Sequence, residues 1–212
     1  MKMHVGFTIP ELMITLAILG ILASLAAPAF NDFIKNERIV SEANDFVLAF
    51  TLARTESIKR NRRVTICKSA NPGAATPACT TAATSQWEDG YIIFTDGNPN
   101  PAGGGAPIAA DAAFQPAAPN LEMLIRTEAA LDGDITIRSH PDNAAVIGNY
   151  VSYNPRGLVK RTNADGGGDQ SGVFRICDDR GLPDVRTVSL SQTGRVRVVS
   201  GTVAENRADA CP

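Results

Sequence analysis

Residues 7–30 form an almost unbroken apolar run, interrupted by Thr8, Glu11, Thr15 and Ser24. About 20 apolar residues suffice for a helix to cross a bilayer, so the run predicts a membrane-spanning helix. A secretory signal peptide is the ordinary alternative, but its apolar region covers about 7–15 residues. This run is longer and carries a carboxylate, Glu11, near its start. After residue 30 the pattern changes. Ile39, Ala43, Phe46, Phe50 and Ala53 recur at spacings of four and three, the apolar stripe of an amphipathic helix. One helix from residue 7 to about 61 is predicted, its first half in the membrane and its second half packed on a sheet.

Beyond the helix the period shortens to two. Residues 63–67, 91–94, 134–137, 150–153, 172–177, 187–191 and 195–199 read as strands. Two loose segments separate them: 69–86, rich in Ala, Thr and Pro, and 97–120, rich in Gly, Pro and Ala. One long helix followed by many antiparallel strands is an α+β pattern. The chain therefore divides into a polar leader (1–6), a membrane helix (7–30) and a head (31–212). Lys2 in the leader favours a cytoplasmic N-terminus, which puts the head on the far side of the membrane.

Composition then narrows the function. Lys plus Arg total 20 and Asp plus Glu total 22, a net charge of -2. That balance excludes a broadly basic nucleic-acid binder; any polyanion site has to be a local patch. The four cysteines, Cys67, Cys79, Cys177 and Cys211, lack the CxxC spacing of zinc or redox motifs. An even count outside the cytoplasm predicts two disulfides. Three pairings are open, and proximity in sequence favours Cys67–Cys79 and Cys177–Cys211. Each closure contributes about 3–4 kcal/mol in the chain-entropy model.

No catalytic set stands out, so the chain reads as a non-enzyme that needs no cofactor. His4 lies in the leader, and His140 sits in Ser139-His140-Pro141-Asp142, a solvated turn by composition. Asp96-Gly97-Asn98-Pro99-Asn100 imitates the start of a calcium loop, but the glycine and glutamate that complete an EF-hand are missing, so it reads as a turn without a metal. The helix end is basic. Arg54, Lys59, Arg60, Arg62, Arg63 and Lys68 face only Glu56, six cations minus one anion, or +5. Cations there complement the helix C-terminus by about 0.3–1 kcal/mol each; contact with DNA or a neighbouring subunit is the other reading.

Glu11 is the odd residue, because a carboxylate inside a membrane segment is costly and needs a cation at the same depth. Gly6-Phe7-Thr8-Ile9-Pro10-Glu11 resembles the class III signal of type IV pilins. The resemblance implies cleavage between Gly6 and Phe7 by a prepilin peptidase, N-methylation of Phe7, and pairing of Glu11 with the Phe7 amine of a neighbour during assembly. Pro28 matches the family's helix-breaking proline, where a kink or melted stretch is expected. Pro10 departs from the usual aliphatic residue but falls in the first turn, where proline is tolerated.

Further motifs resemble the GspH/FimT/FimU branch of minor pilins and pseudopilins: residues 62–67, Trp87-x-x-Gly90-Tyr91-x-x-Phe94-x-Asp96, and Gln192-Thr193-Gly194-Arg195-Val196-Arg197. The resemblance implies a type IV pilin-like fold, an inner-membrane subunit with a periplasmic head that later joins a filament, and as partners other major and minor pilins and the inner-membrane assembly platform. Three roles follow. The first is a minor pilin that helps prime and assemble a type IV pilus, and the second a type II secretion pseudopilin. The third is a minor pilin that captures double-stranded DNA through Gly194, Arg195 and Arg197. On a strand Arg195 and Arg197 project to one side, where two guanidiniums can grip phosphate oxygens.

Overall fold

The computed structural model describes residues 8–97, 111–117, 121–131, 134–140, 144–161, 168–180 and 185–200, with 27–29, 144–145 and 200 described by backbone alone. Its first element is a single helix, α1 (Ile9–Arg60), of 52 residues, about 78 Å at 1.5 Å per residue. Helical backbone continues through Pro28, so no melted stretch forms there. The chain divides into two compact units, Met1–Arg38 and Ile39–Pro212, and α1 contributes to both. In the first unit every described side chain from Thr8 to Leu25 is exposed. The helix closes on Asn61, in the left-handed region at φ 49°. The Asn61 N–H donates to Ile58 O and the Arg62 N–H to Ser57 O, the paired bonds of a Schellman cap.

The second unit holds two antiparallel sheets. One has the order β3-β2-β1-β5 and the other β4-β6-β7-β8. The first is built from β1 (Arg63–Lys68), β2 (Tyr91–Asp96), β3 (Leu124–Glu128) and β5 (Tyr150–Tyr153). The second is built from β4 (Thr136–Ser139), β6 (Gly172–Cys177), β7 (Arg186–Leu190) and β8 (Val196–Ser200). A 3-10 turn (Trp87–Asp89) precedes β2, and a short helix α2 (Ala144–Ile147) precedes β5. Strand β3 and helix α2 were not expected from sequence.

Strand alternation decides which side chains meet the helix. Val64 and Ile66, Tyr91 and Ile93, and Val151 and Tyr153 join one core cluster with the α1 stripe Ile39, Ala43, Phe46, Phe50 and Ala53. Ile137, Phe174, Ile176, Val188 and Leu190 of the second sheet join the same cluster, so α1 and both sheets share one core. Phe46 lies at its centre. Its ring is 4.9 Å from Phe50, 5.1 Å from Phe174, and 5.8 Å from both Trp87 and Tyr91, all edge-on. The opposite face of the first sheet carries a smaller cluster of Cys67, Ile92 and Phe94, covered by Cys79, Phe114 and Tyr150.

The segment after β1 is tied down. Cys67 and Cys79 form the expected disulfide, with Cα atoms 5.6 Å apart. Beside it Lys68 is buried and donates from Nζ to Ser85 O at 2.6 Å and Ala82 O at 3.2 Å. Ser69 Oγ donates to Ala78 O at 2.7 Å. Cys177 is buried at the end of β6; its expected partner Cys211 lies outside the described residues. Glu88 joins the 3-10 turn to the second sheet: its carboxylate accepts the Ile137 N–H at 3.1 Å and pairs with Arg138.

Candidate functional site

Three regions carry the residues singled out from sequence. The first is the start of α1. Gly6 and Phe7 lie outside the described residues. Glu11 occupies the first turn of α1 and is exposed, a position where a carboxylate complements the helix dipole. The residues around it are apolar and bare: Ile9 is 78% exposed and Leu25 70%. This stretch is long and apolar enough to cross a membrane. Side chains at Pro28 lie outside the description.

The second region is the basic end of α1. Its six cations have different employments. Lys59 and Arg60 pair with Glu56, whose pKa is lowered chiefly by the Arg60 hydrogen bond. Arg62 donates to Gly97 O. Arg63 donates to Lys160 O at 2.8 Å and Ser152 Oγ at 3.0 Å. Lys68 is buried as described. Of the six, only the Arg54 side chain forms no hydrogen bond or ion pair with a described residue, and its Nε is buried. Most of the charge is therefore used within the chain, three cations on backbone carbonyls and two on Glu56.

Gly194, Arg195 and Arg197 lie on the β7–β8 hairpin. Ser191 O accepts the Gly194 N–H and the Ser191 N–H donates to Arg195 O. Gly194 sits in the left-handed region at φ +77°, and a Cβ there would meet Gly157 O at 2.2 Å, the Tyr153 ring at 3.0 Å and Arg54 Nε at 3.3 Å. The glycine is thus a packing joint, buried beneath the two exposed arginines that follow it. Arg197 pairs in register with Ser189, on the side opposite Val188 and Leu190. Their backbones are bonded to Ser191 and Ser189, but neither guanidinium, of Arg195 or of Arg197, forms an ion pair or hydrogen bond with a described residue.

A fourth region was missed from sequence. Asp96, Asp111 and Glu122 bring carboxylate oxygens within 4.8 Å of one another. Asp96 and Glu122 are buried. Asp96 accepts from Thr65 Oγ1 at 2.5 Å and from the amides of Asp111 and Ala112. Glu122 accepts the Gly97 amide at 2.8 Å and the Gln115 amide at 2.7 Å. With their oxygens used on the chain's own donors, these two carboxylates act as clamps that hold 111–117 over the back of β2. The calcium-like motif lies partly outside the described residues, at Asn98 and Asn100; its first residue, Asp96, is one of these clamps. His140 is half-buried, its N–H donating to Val173 O at 2.8 Å, so it is held in the sheet rather than in a solvated turn.

Burial, opposed by the Thr65 and Asp111 hydrogen bonds, pushes Asp96 from 3.8 up to about 6. Burial, opposed by the Gly97 and Gln115 amides, pushes Glu122 from 4.5 up to about 7. Both groups bind protons more tightly folded than unfolded. Their contribution is full below about pH 4 and is lost as pH rises through 6 and 7. Lowering the pH from 7.5 to 5.5 should therefore stabilise the head by roughly 2–3 kcal/mol. Denaturant titrations at the two pH values check this, and Asp96→Asn/Glu122→Gln should flatten the dependence. A head that gained stability with rising pH would mean that the amide donors outweigh desolvation.

A family model described as "Type II transport protein GspH" matches residues 42–194, more than half of the chain. A second, "Prokaryotic N-terminal methylation motif", matches residues 1–27. A fimbrial protein of Moraxella nonliquefaciens is 48% identical over 60 residues, covering 28% of this chain and 37% of that protein. The type IV major fimbrial protein FimA of Dichelobacter nodosus is 56% identical over 34 residues, covering 16% of this chain and 21% of that protein. The chain thus matches less than two fifths of the length of these curated relatives. A crystal structure of the type IV minor pilin FimU of Pseudomonas aeruginosa aligns with a TM-score of 0.47 and 19% identity, over 79% of this chain and 92% of that one. With the methylation motif at its start and the GspH model running from within α1 through β7, the chain belongs to the GspH family and is a type IV pilin-like protein.

Proposed function

We propose that the chain is a structural subunit, not an enzyme: a minor pilin that helps prime and assemble a type IV pilus. It waits in the inner membrane, anchored by residues 7–30 with its head in the periplasm, and then enters the filament. One observation carries this reading. A single helix places a lone carboxylate, Glu11, at the start of a bare apolar segment and then runs on into the core of the head. Glu11 needs a cation, and the Phe7 amine of a neighbouring subunit, freed by a prepilin peptidase cutting after Gly6, supplies one. Other pilins and the inner-membrane assembly platform are the partners. The fimbrial names of the matched relatives support the pilus role.

Intact-mass analysis of protein from sheared filaments should show loss of residues 1–6 and one added methyl group. An unprocessed mass in assembled filaments would sink the pilin reading. Glu11→Ala should leave the protein processed and membrane-bound but absent from filaments. Deleting the gene should reduce surface pili and leave protein secretion intact. The description of the matched family model favours a type II secretion pseudopilin instead; loss of secretion with normal pili would decide for that role.

A second reading has its own observation. Arg195 and Arg197 are exposed on one side of a hairpin with no described partner, which leaves both guanidiniums available to the phosphates of DNA.

A further inference from the structure

The hairpin arginines do not stand alone. The Gly194 backbone packs on Gly157, with Gly157 O 2.2 Å from a Cβ built on Gly194, and both glycines enclose Arg54 Nε, at 3.3 and 3.1 Å from their built Cβ positions. Val159 N–H donates to Gln192 O at 3.2 Å, linking the same two turns. Arg156, next to Gly157, is exposed, and its turn is fixed by Asn154, whose Oδ1 accepts the Arg156 and Leu158 amides. Three elements far apart in sequence therefore converge: the last turns of α1, turn 154–157 and turn 191–194. Each contributes arginine to one seam.

We propose that Arg54 and Arg156 complete, with Arg195 and Arg197, a four-arginine strip that grips the phosphate backbone of duplex DNA. The proposal rests on the DNA reading of the hairpin and extends it. Residues 154–158 and 191–197 contain no acid, nor does the adjoining α1 face of Thr51, Arg54, Thr55 and Ile58. None of the four guanidiniums has a described hydrogen-bond or ion-pair partner. Their neighbours are Asn154, Ser191, Gln192 and Thr193, the uncharged side chains that serve with arginine in phosphate contacts. Arg195 and Arg197, two residues apart, are about 6.8 Å apart along the strand, close to the separation of successive phosphates on one DNA strand. Arg54 is half-buried, with its Nε enclosed by the two turns that carry Arg156 and Arg195.

The same surface argues against a single strand. Non-specific single-strand sites stack bases on aromatic rings. Among the described residues from Ile39 onward, no Phe, Tyr or Trp is exposed. What remains is a backbone-reading surface without sequence preference, fitted to the regular phosphate rows of a duplex.

Full-length protein in non-ionic detergent should be titrated with a labelled random-sequence duplex between 50 and 200 mM salt. A single strand of equal length and poly-glutamate serve as competitors. Four contacts give a salt slope of about −3.6 in log–log form, and Arg54→Gln and Arg156→Gln should each reduce it by about 0.9. Arg156→Gln alters only an exposed turn side chain, so it still tests the strip if Arg54→Gln melts early. No duplex binding at 50 mM salt overturns the DNA reading and this extension together. Binding that needs Arg195 and Arg197 but keeps its slope and affinity in both new variants overturns the extension alone. A single strand that competes as well as the duplex overturns the duplex assignment. Poly-glutamate competing equally well would show an acidic protein surface to be the partner and overturn the proposal.

Discussion

Phe46→Ala is expected to cost the head about 3–5 kcal/mol, the range for truncating a buried phenylalanine. Four rings surround Phe46, contributed by α1 itself, the 3-10 turn, β2 and β6. Removing it opens a cavity where the helix and both sheets meet. None of those neighbours is free to collapse into the space: Phe50 and Phe174 are 0% exposed and Trp87 1%. Edge-on aromatic pairs add about 0.5–1.5 kcal/mol beyond area burial. Trp87 is the sole tryptophan and stands 5.8 Å from Phe46, so its fluorescence reports the melt from the site of damage. The midpoint should fall by roughly 10 °C, taking about 2–4 °C per kcal/mol for a chain of this size. Leu48→Ala, two residues away but 57% exposed, should change stability by no more than about 0.5 kcal/mol. Equal effects from the two substitutions would show that α1 does not bury the face assigned here.

Gly194→Ala should be nearly as damaging although it adds only one methyl group. The φ of +77° strains any L side chain, and the new carbon would fall 2.2 Å from a backbone oxygen, Gly157 O. A backbone atom cannot rotate aside as a side-chain tip can, so turn 154–157 or the hairpin has to move. Positive-φ strain of about 1–3 kcal/mol and overpacking of about 1–3 kcal/mol together predict a loss of roughly 2–5 kcal/mol. Gly73→Ala is the control, because nothing lies within 4 Å of its built Cβ. Thermal melts of the two variants decide the matter. A Gly194→Ala protein as stable as Gly73→Ala would mean that the two turns are not in contact. The test also separates two meanings of the Gly-Arg-x-Arg pattern: the glycine secures the joint and the arginines face outward.

How much of this was legible in the chain depends on the range of the interaction. The α1 stripe was fully readable, because a period of four and three is local, and all five stripe residues are at most 1% exposed. Most strands were readable for the same reason. Strand β3 was not: Leu124-Ile125-Arg126-Thr127-Glu128 mixes charge into an outer strand whose pairing shifts at Ile93/Phe94, which blurs alternation. The nearest-neighbour cysteine argument found Cys67–Cys79, but nothing local distinguished Lys68, a buried cation serving two carbonyls, from the basic helix end before it. The Asp96 and Glu122 clamps were invisible because their donors lie 7 to 25 residues away or on another strand. The joint at Gly194 needed Gly157 and Arg54, and no spacing rule connects those three positions.

Strand β3 has a consequence for how these molecules avoid one another before assembly. An outer strand offers unpaired amides and carbonyls to any similar strand, and crowded subunits are at risk of joining edge to edge into disordered aggregates. Here the outer strand is five residues long, carries a register shift, and bears Arg126 and Glu128 paired at 2.7 Å. Short length, irregular pairing and charge are the three devices that blunt an edge. In a subunit that assembles as proposed above, one strand route to uncontrolled association is therefore closed, and the helix is left as the way into an ordered polymer.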